Sequence, residues 1–174
     1  ATVREGVMKK APLAAPVTGR ISEIDVNSIL KDSDLTVEIV AREIEERKID
    51  IKGAQIIVAG GFGVGSKENF DLIFELAKTL GGEVGASRAA VDAGFADHAR
   101  QIGQTGVTVR PKLFISCGIS GQIQHTAGMD QSSMIISINS DPEAPIHKIA
   151  DYAIVGDLNV VIPKLIKFYK QNSK

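Results

Sequence analysis

QIIVAGGFGVGS, residues 55–66, joins a continuously apolar run to a dense glycine turn. The run QIIVA has no polar face, which is typical of a strand that is buried on both sides in a parallel sheet. The same pattern recurs at LFISC, residues 113–117, which runs into the turn GISG. Apolar residues at helical spacing lie between such runs. Strands that alternate with helices predict one three-layer α/β domain built on a parallel sheet.

The other predicted elements follow the same alternation along the chain. Strands are predicted at Arg20–Val26, Gln55–Ala59, Glu83–Ala86, Leu113–Cys117, Met134–Ile138 and Tyr152–Val155. Helices are predicted through Val37, Val40, Ala41 and Ile44, from the cap Ser66 to Leu80, over Arg88–Ala93 and Gln122–Ala127, and after the cap Asp157 with a restart or bend at Pro163.

Composition excludes several classes of protein. The chain has 174 residues, enough for one domain, and a net charge of −1, so no charge excess attracts nucleic acid or an anionic membrane. One cysteine and three histidines, without CxxC or HExxH, exclude an internal disulfide and argue against a metal site. No apolar run approaches the ~20 residues that span a bilayer. A chain that begins at Ala1 is expected to be a processed protein or a fragment of a longer one.

Three glycine turns mark the candidate functional site: Gly60–Gly65, Gly103–Gly106 and Gly118–Gly121. Ligands of parallel sheets bind outside the carboxyl ends of the strands, where backbone N–H groups point outward. Neighbouring hydroxyls, amides and an arginine suit a phosphate-and-sugar ligand better than a hydrolytic centre. Ordinary turn chemistry is the alternative for each glycine run, and neither a Walker A frame nor a G-x-S-x-G elbow is present.

Four side chains have individual interpretations. His125, beside the third glycine turn, is the candidate functional histidine. His98 is predicted to be exposed to solvent, and His147 to lie at the surface or to cap a helix. Cys117, inside an apolar strand, is predicted to be a buried small hydrophobe.

Long motifs carry a resemblance to a known family. GASRAAVDAGF (85–95), IGQTGVTVRPKLFISCGISGQIQHTAGM (102–129), IISINSDPEAPI (135–146) and ADYAIVGDL (150–158) resemble the C-terminal FAD-binding domain of the electron transfer flavoprotein α subunit. The resemblance implies a Rossmann-like (DHS-like) FAD-binding domain over residues 20–174. It also implies that residues 1–19 are a linker or strand that joins this domain to an N-terminal domain outside the chain.

The resemblance also implies the cofactor-binding residues. Arg88 is expected near the isoalloxazine ring, where its charge favours the reduced form, and the Thr105 hydroxyl is expected at flavin N5. Gln124 is expected near the ribityl chain, and His125 at the flavin C2 oxygen. The full predicted set is Phe62, Ser87, Arg88, Ile102, Gly103, Gln104, Thr105, Gly106, Ser120, Gly121, Gln122, Ile123, Gln124, His125, Asn139, Asp157 and Leu158, of which Asn139, Asp157 and Leu158 match the adenosine and phosphate positions.

One departure from the family concerns charge. Many members have arginine in a GGRG turn where this chain has Phe62 in GGFG, so a cation that would contact the phosphate or the ring is replaced by an apolar side chain. Affinity for the cofactor or its potential is therefore expected to differ from those of relatives with arginine.

The function implied by the family is electron relay from flavoprotein dehydrogenases, such as acyl-CoA dehydrogenases, to downstream acceptors. FAD is the expected cofactor and a β subunit the expected partner in a heterodimer. The chain is expected to be an electron carrier rather than an enzyme, with no catalytic or metal-binding residue and no contact with nucleic acid or membrane interior. The expected location is the bacterial cytoplasm, or the mitochondrial matrix in a eukaryote. Two alternatives are an NAD-dependent enzyme on a related fold and an FAD-holding fragment without productive electron transfer.

Overall fold

The computed structural model describes residues 19–34, 37, 40–41 and 51–173. The chain divides into two compact units, a smaller one at Met8–Lys48 and a larger one that contains Ile49–Lys174. In the smaller unit the described residues form two short 3-10 helices, at Val26–Ser28 and Asp32–Asp34. Within the described chain, no helix is both long and apolar enough to cross a bilayer.

The strand predicted at Arg20–Val26 is wrong. Residues 20–25 form no regular element and Val26 begins a 3-10 helix. Alternation produces a strand only where a neighbouring strand and a face to bury are present, but Ile21 and Ile24 are 94% and 70% exposed. Of the helix predicted through Val37, Val40, Ala41 and Ile44, Ile44 lies outside the described residues, and the three described members are not helical. The linker predicted at 1–19 also lies outside them, apart from Gly19.

The larger unit is built on five parallel strands in the order β2-β1-β3-β4-β5. Their bounds are Ile56–Gly60 (β1), Glu83–Ala86 (β2), Leu113–Cys117 (β3), Ile135–Asn139 (β4) and Tyr152–Val155 (β5). A parallel bridge between Ala86 and Gln101 continues the sheet beyond β2. The chain leaves β1 toward β2 and returns on its other side to β3. The β1–β3 junction is therefore a topological switch point, where ligands of such sheets bind.

Burial on both faces explains why the central strands read as apolar runs. In β1, Val58 belongs to one hydrophobic core, while Ile57 and Ala59 belong to the other. In β3, Ile115 and Phe114 divide between the two cores in the same way. The predicted α/β fold with a parallel sheet is confirmed, with β1 and β4 each displaced by one residue from their predicted bounds. β5 is an edge strand, and its residues are largely exposed.

Helices begin directly after both predicted caps, Ser66 and Asp157, and the described part of the larger unit has four α-helices, of which the two short ones are shorter than predicted. They are Lys67–Leu80 (α1), Arg88–Asp92 (α2), Ile123–Thr126 (α3) and Leu158–Asn172 (α4). The Ser66 hydroxyl accepts from the N–H of Asn69, and Gly81 ends α1 in the left-handed conformation. Asp157 caps α4, which continues through Pro163 instead of restarting there. Helices α1 and α4 contribute to the same core, whereas residues 102–109, Ile119 and Met129 cover the other face.

Candidate functional site

A cavity of about 490 Å³ opens at the carboxyl edge of the sheet, across the ends of β2, β1, β3 and β4. The residues that line it come from the segments that follow these four strands. They are Phe62, Gly63, Ser87, Arg88, Ala89, Ile102, Gly103, Thr105, Gly118, Ile119, Ser120, Gln122, Gln124, His125, Asn139, Asp141 and Ala144.

The turns after β1 and β3 meet backbone to backbone. The N–H of Gly63 donates to the carbonyl of Gly118 at 3.0 Å, and the N–H of Gly61 to that of Cys117 at 2.8 Å. A Cβ on Gly61 would lie 2.1 Å from the Gly118 carbonyl oxygen, so a side chain here would push the two turns apart. Gly118 itself has a φ of +62°, which favours glycine. The predicted convergence of the first and third glycine turns is confirmed.

The second glycine turn packs against α3. The N–H of Gln104 donates to the carbonyl of Gln124 at 2.7 Å. A Cβ on Gly103 would lie 2.5 Å from that same carbonyl oxygen. This close approach brings the turn at 103–106 beside His125, so all three glycine turns surround one cavity.

His125 has a fixed ring orientation and one nitrogen with no protein partner. Its Nδ1 lies 3.0 Å from the carbonyl oxygen of Ile102. Because a carbonyl only accepts, Nδ1 must carry the hydrogen. Burial lowers the pKa of His125 from its ordinary 6.5, which the bond to Ile102 opposes. The neutral ring therefore presents an unprotonated Nε2, which is buried and has no hydrogen-bond partner within the described chain.

Thr105 is oriented by a residue that the sequence reasoning missed. The side-chain amide of Gln101 donates from Nε2 to the Thr105 hydroxyl at 2.9 Å. That oxygen acts as an acceptor, so its own hydrogen is free to be donated into the cavity. Gln101 is almost completely buried. Its neighbours in the loop gave no periodic pattern that would have indicated this burial.

Positive charge in the cavity comes from Arg88. Ser87 caps α2 by accepting from the N–H of Ala90 at 3.3 Å, which sets Arg88 at the start of the helix. The Arg88 Nε lies 3.4 Å from an Asp92 carboxylate oxygen, and both side chains are exposed. Among the residues that line the cavity in the described chain, Arg88 is the only lysine or arginine. Asp92 offsets part of its charge.

Phe62 forms an apolar rim of the cavity. Its side chain is 62% exposed, and its ring stacks on Phe95 with centroids 6.0 Å apart and planes inclined by 11°. Phe95 in turn lies against the buried ring of Phe70. Phe62 therefore packs against other rings of the protein on one side and is exposed on the other.

A smaller crevice of about 280 Å³ lies next to the cavity and shares Gly63, Gly118 and Asn139 with it. Asp157 and Leu158 line this crevice. The crevice therefore extends the cavity past the β1–β3 switch point toward the start of α4.

Most of the predicted site residues lie together. Phe62, Ser87, Arg88, Ile102, Gly103, Thr105, Ser120, Gln122, Gln124, His125 and Asn139 line the cavity. Gln104, Gly106, Gly121 and Ile123 line neither the cavity nor the crevice. Sequence reasoning missed Gly63, Ala89, Gly118, Ile119, Asp141 and Ala144, although the glycine turns had already singled out Gly63 and Gly118. The cofactor-binding role of the predicted residues stays a prediction.

The other histidines and the cysteine differ in how well they match expectation. His98 is exposed, and Cys117 is fully buried, where burial raises its pKa to about 12. Both predictions are confirmed. His147, which was predicted to lie at the surface or to cap a helix, is half-buried, and both of its ring nitrogens are hydrogen-bonded.

Comparison with known proteins agrees with this geometry. Residues 50–130 match the family model described as the electron transfer flavoprotein FAD-binding domain. The chain is 51% identical over 173 residues to "Protein FixB" of Clostridium saccharobutylicum, covering 98% of this chain and 51% of that protein. It is 50% identical over 171 residues to the electron transfer flavoprotein subunit alpha of Bacillus subtilis, covering 98% and 52%.

A eukaryotic relative gives the same result. The chain is 43% identical over 176 residues to the mitochondrial electron transfer flavoprotein subunit alpha of Dictyostelium discoideum, covering 98% of this chain and 49% of that protein. The chain spans about half the length of the curated relatives it matches. Together with the family model, these relatives show that the chain belongs to the electron transfer flavoprotein α-subunit family and carries its FAD-binding domain.

Proposed function

We propose that this chain binds FAD in the cavity and the adjoining crevice, as the cofactor-holding part of an electron transfer flavoprotein α subunit. The observation that carries the proposal is the buried Nε2 of His125, a polar atom with no partner in the described protein, on a residue that lines the same cavity as the three glycine turns. A buried unpaired polar atom is costly, so a ligand that hydrogen-bonds it is strongly favoured.

The shape of the site suits a dinucleotide. Strands in a sheet lie about 4.8 Å apart, so a cavity that spans the ends of four strands is roughly 14 Å long. A dinucleotide has two ring systems joined by a diphosphate, and it needs that length. We assign its flavin end to Arg88, Thr105 and His125, and its adenosine end to Asn139 and the crevice beside Asp157.

His125 and Thr105 would orient the flavin end from the same side of the cavity. The Thr105 hydroxyl, which already accepts from Gln101, donates its hydrogen to a ligand acceptor. His125 accepts at Nε2 from a ligand N–H, whereas a ligand oxygen at that position requires a protonated ring. A negative charge beside Nε2 raises the pKa of His125 and favours proton uptake at that atom.

Arg88 would add positive charge at the same end. Its ion pair with Asp92 is exposed and therefore weak, so the guanidinium can turn from the carboxylate toward an anionic ligand. When bound, FAD supplies reversible electron transfer, and the protein contributes binding, orientation and electrostatics.

The role of the intact protein is part of the same proposal. We infer that it relays electrons between flavoprotein dehydrogenases of the acyl-CoA dehydrogenase type and downstream acceptors, together with a β subunit and without making or breaking substrate bonds. Residues 1–19 would connect residues 20–174 to a preceding domain. The name electron transfer flavoprotein subunit alpha supports electron transfer through a flavin, and the description of the matching family model favours FAD over a nicotinamide cofactor. Bacterial and mitochondrial relatives support a cytoplasmic or mitochondrial-matrix location.

The decisive experiment is to purify the complete protein, with and without a co-expressed β subunit, and to identify what it holds. A flavin absorption spectrum and chromatographic release of FAD are expected. His125→Phe should weaken FAD binding, whereas the exposed control His98→Phe should leave it unchanged. Binding of NAD in place of FAD, or an apoprotein that takes up no added FAD even with the β subunit, would contradict the proposal.

A further inference from the structure

His147 joins the middle of strand β4 to the loop that follows it. Its Nδ1 lies 2.7 Å from the Ser137 hydroxyl oxygen, and its Nε2 lies 3.1 Å from the carbonyl oxygen of Asp141. Ser137 is fully buried in β4. Neither bond was indicated by the sequence, because the three residues form no recognisable motif.

The two partners determine the direction of both hydrogen bonds. The Asp141 carbonyl can only accept, so Nε2 of His147 carries the ring hydrogen. In the neutral ring Nδ1 is then an acceptor, and the buried Ser137 hydroxyl donates to it. One imidazole thus satisfies a buried hydroxyl on the sheet and a backbone carbonyl in the loop. A phenyl ring of similar size would satisfy neither.

The Asp141 carbonyl, which accepts from His147, belongs to the segment 139–144, which forms one wall of the cavity. Asp141 lines the cavity, and its N–H donates to the Asn139 side-chain oxygen at 3.1 Å. The Asn139 amide donates in turn to the carbonyl of Ile119 at 3.0 Å. The N–H of Ala144, which also lines the cavity, donates to the Asp141 carbonyl at 3.3 Å. The position of the Asp141 turn therefore determines where Asn139 and Ala144 lie.

The wall stands at one end of the cavity. It follows β4, whereas Ser87 and Arg88 follow β2, with β1 and β3 between them. A change at His147 should therefore affect one end of a long ligand more than the other.

We propose that His147 is a positioning residue that holds the wall Asn139–Ala144 against β4 and thereby determines the affinity of the site for the adenosine half of its dinucleotide. This inference rests on the proposed function. Ser137 and His147 share this role. The ring connects β4 to the loop only when it bonds both the Ser137 hydroxyl and the Asp141 carbonyl.

The test uses the apoprotein of the complete protein, with its β subunit, in the forms His147→Phe, Ser137→Ala and the double variant. FAD is titrated, and ADP and FMN compete with it as the two halves of the dinucleotide. His147→Phe should weaken FAD and ADP binding by about two- to tenfold, the range of one hydrogen bond, and leave FMN binding unchanged. The double variant should be no weaker than His147→Phe alone, because the two residues act as one unit.

Controls separate positioning from general damage. His98→Phe, the same change at an exposed histidine outside the cavity, should bind all three ligands like the wild type. Equal weakening of ADP and FMN, additive losses in the double variant, or unchanged FAD and ADP binding would overturn the role of His147. If His147→Phe does not fold, Ser137→Ala supports the same ADP-to-FMN comparison. A wild type that binds neither FAD nor ADP refutes the proposed function instead.

Discussion

Replacing Phe62 with arginine introduces a cation at the mouth of the cavity. Phe62 is 62% exposed, and its ring lies on Phe95, a surface on which a planar guanidinium can also stack. Arg88 is the only lysine or arginine that lines the cavity in the described part of the chain, and it is paired with Asp92. The variant therefore tests whether the site lacks positive charge for a diphosphate.

The size of the gain follows from Coulomb's law in a water-like dielectric, which the exposure of Phe62 requires. Two phosphate charges, if placed at about 5 and about 8 Å from the guanidinium, would contribute about 1.3 kcal/mol without salt. At 0.1 M salt the screening length is about 10 Å, which leaves about 0.7 kcal/mol, or threefold tighter binding. At 1 M salt the length is about 3 Å, and only about 0.2 kcal/mol remains.

Titration calorimetry of FAD into the complete apoprotein measures this gain. Wild type, Phe62→Arg and Phe62→Leu are compared at both salt concentrations. Phe62→Leu removes the stack on Phe95 without adding charge, so it separates the loss of the aromatic contact from the effect of the cation. Only Phe62→Arg should bind FAD more tightly than the wild type, and only at the lower salt concentration.

Two results would refute this reasoning. Binding by Phe62→Arg that is equal to or weaker than that of the wild type at low salt would show that no phosphate lies within reach of position 62. A gain that persists at 1 M salt would show that stacking or desolvation, rather than charge, produces it.

Three further predictions concern stability and reactivity. Gly121→Ala should cost about 2–4 kcal/mol in urea unfolding, because Gly121 has a φ of +92° and an added Cβ would lie 2.4 Å from the Ile146 nitrogen. Gly94→Ala, also at positive φ but with open space around it, should cost less, and equal losses would contradict the clash. Burial holds the pKa of His125 below 6.5, so the unfolded chain binds the proton more readily; the apoprotein's free energy of unfolding should fall as the pH drops from about 7 to about 5. An equal fall in His125→Gln would argue against this cause. Cys117, whose pKa burial raises to about 12, should react with a thiol reagent only when urea unfolds the protein, and rapid labelling of the native state would disprove its burial.

Local sequence patterns predicted most strands and helices of the larger unit, because each pattern favours the same structure that the fold requires of its residues. The apolar run at 55–59 and the cap at Ser66 each determine structure within a few residues. Both appear in the structure close to their predicted bounds. The glycine turns were equally visible, since a backbone that approaches another backbone closely excludes side chains at those positions.

Patterns failed where structure depends on a distant partner. Residues 20–26 alternate like a strand but form none, because alternation alone supplies no neighbour to pair with. Gln101 and Ser137 are polar residues that belong to no recognisable sequence motif. Only the fold shows which groups their buried side chains bond.

The sequence by itself determined the order of strands and helices beyond residue 55, the helix caps Ser66 and Asp157, the glycine turns and, through family motifs, the candidate site residues. Only the tertiary structure decided that the turns after β1 and β3 touch, that Nε2 of His125 is buried without a protein partner, and that His147 links β4 to the cavity wall. Periodicity and capping act between residues a few positions apart. A cavity and its hydrogen bonds are made by residues that are far apart in the chain, and their contacts exist only once the sheet has formed.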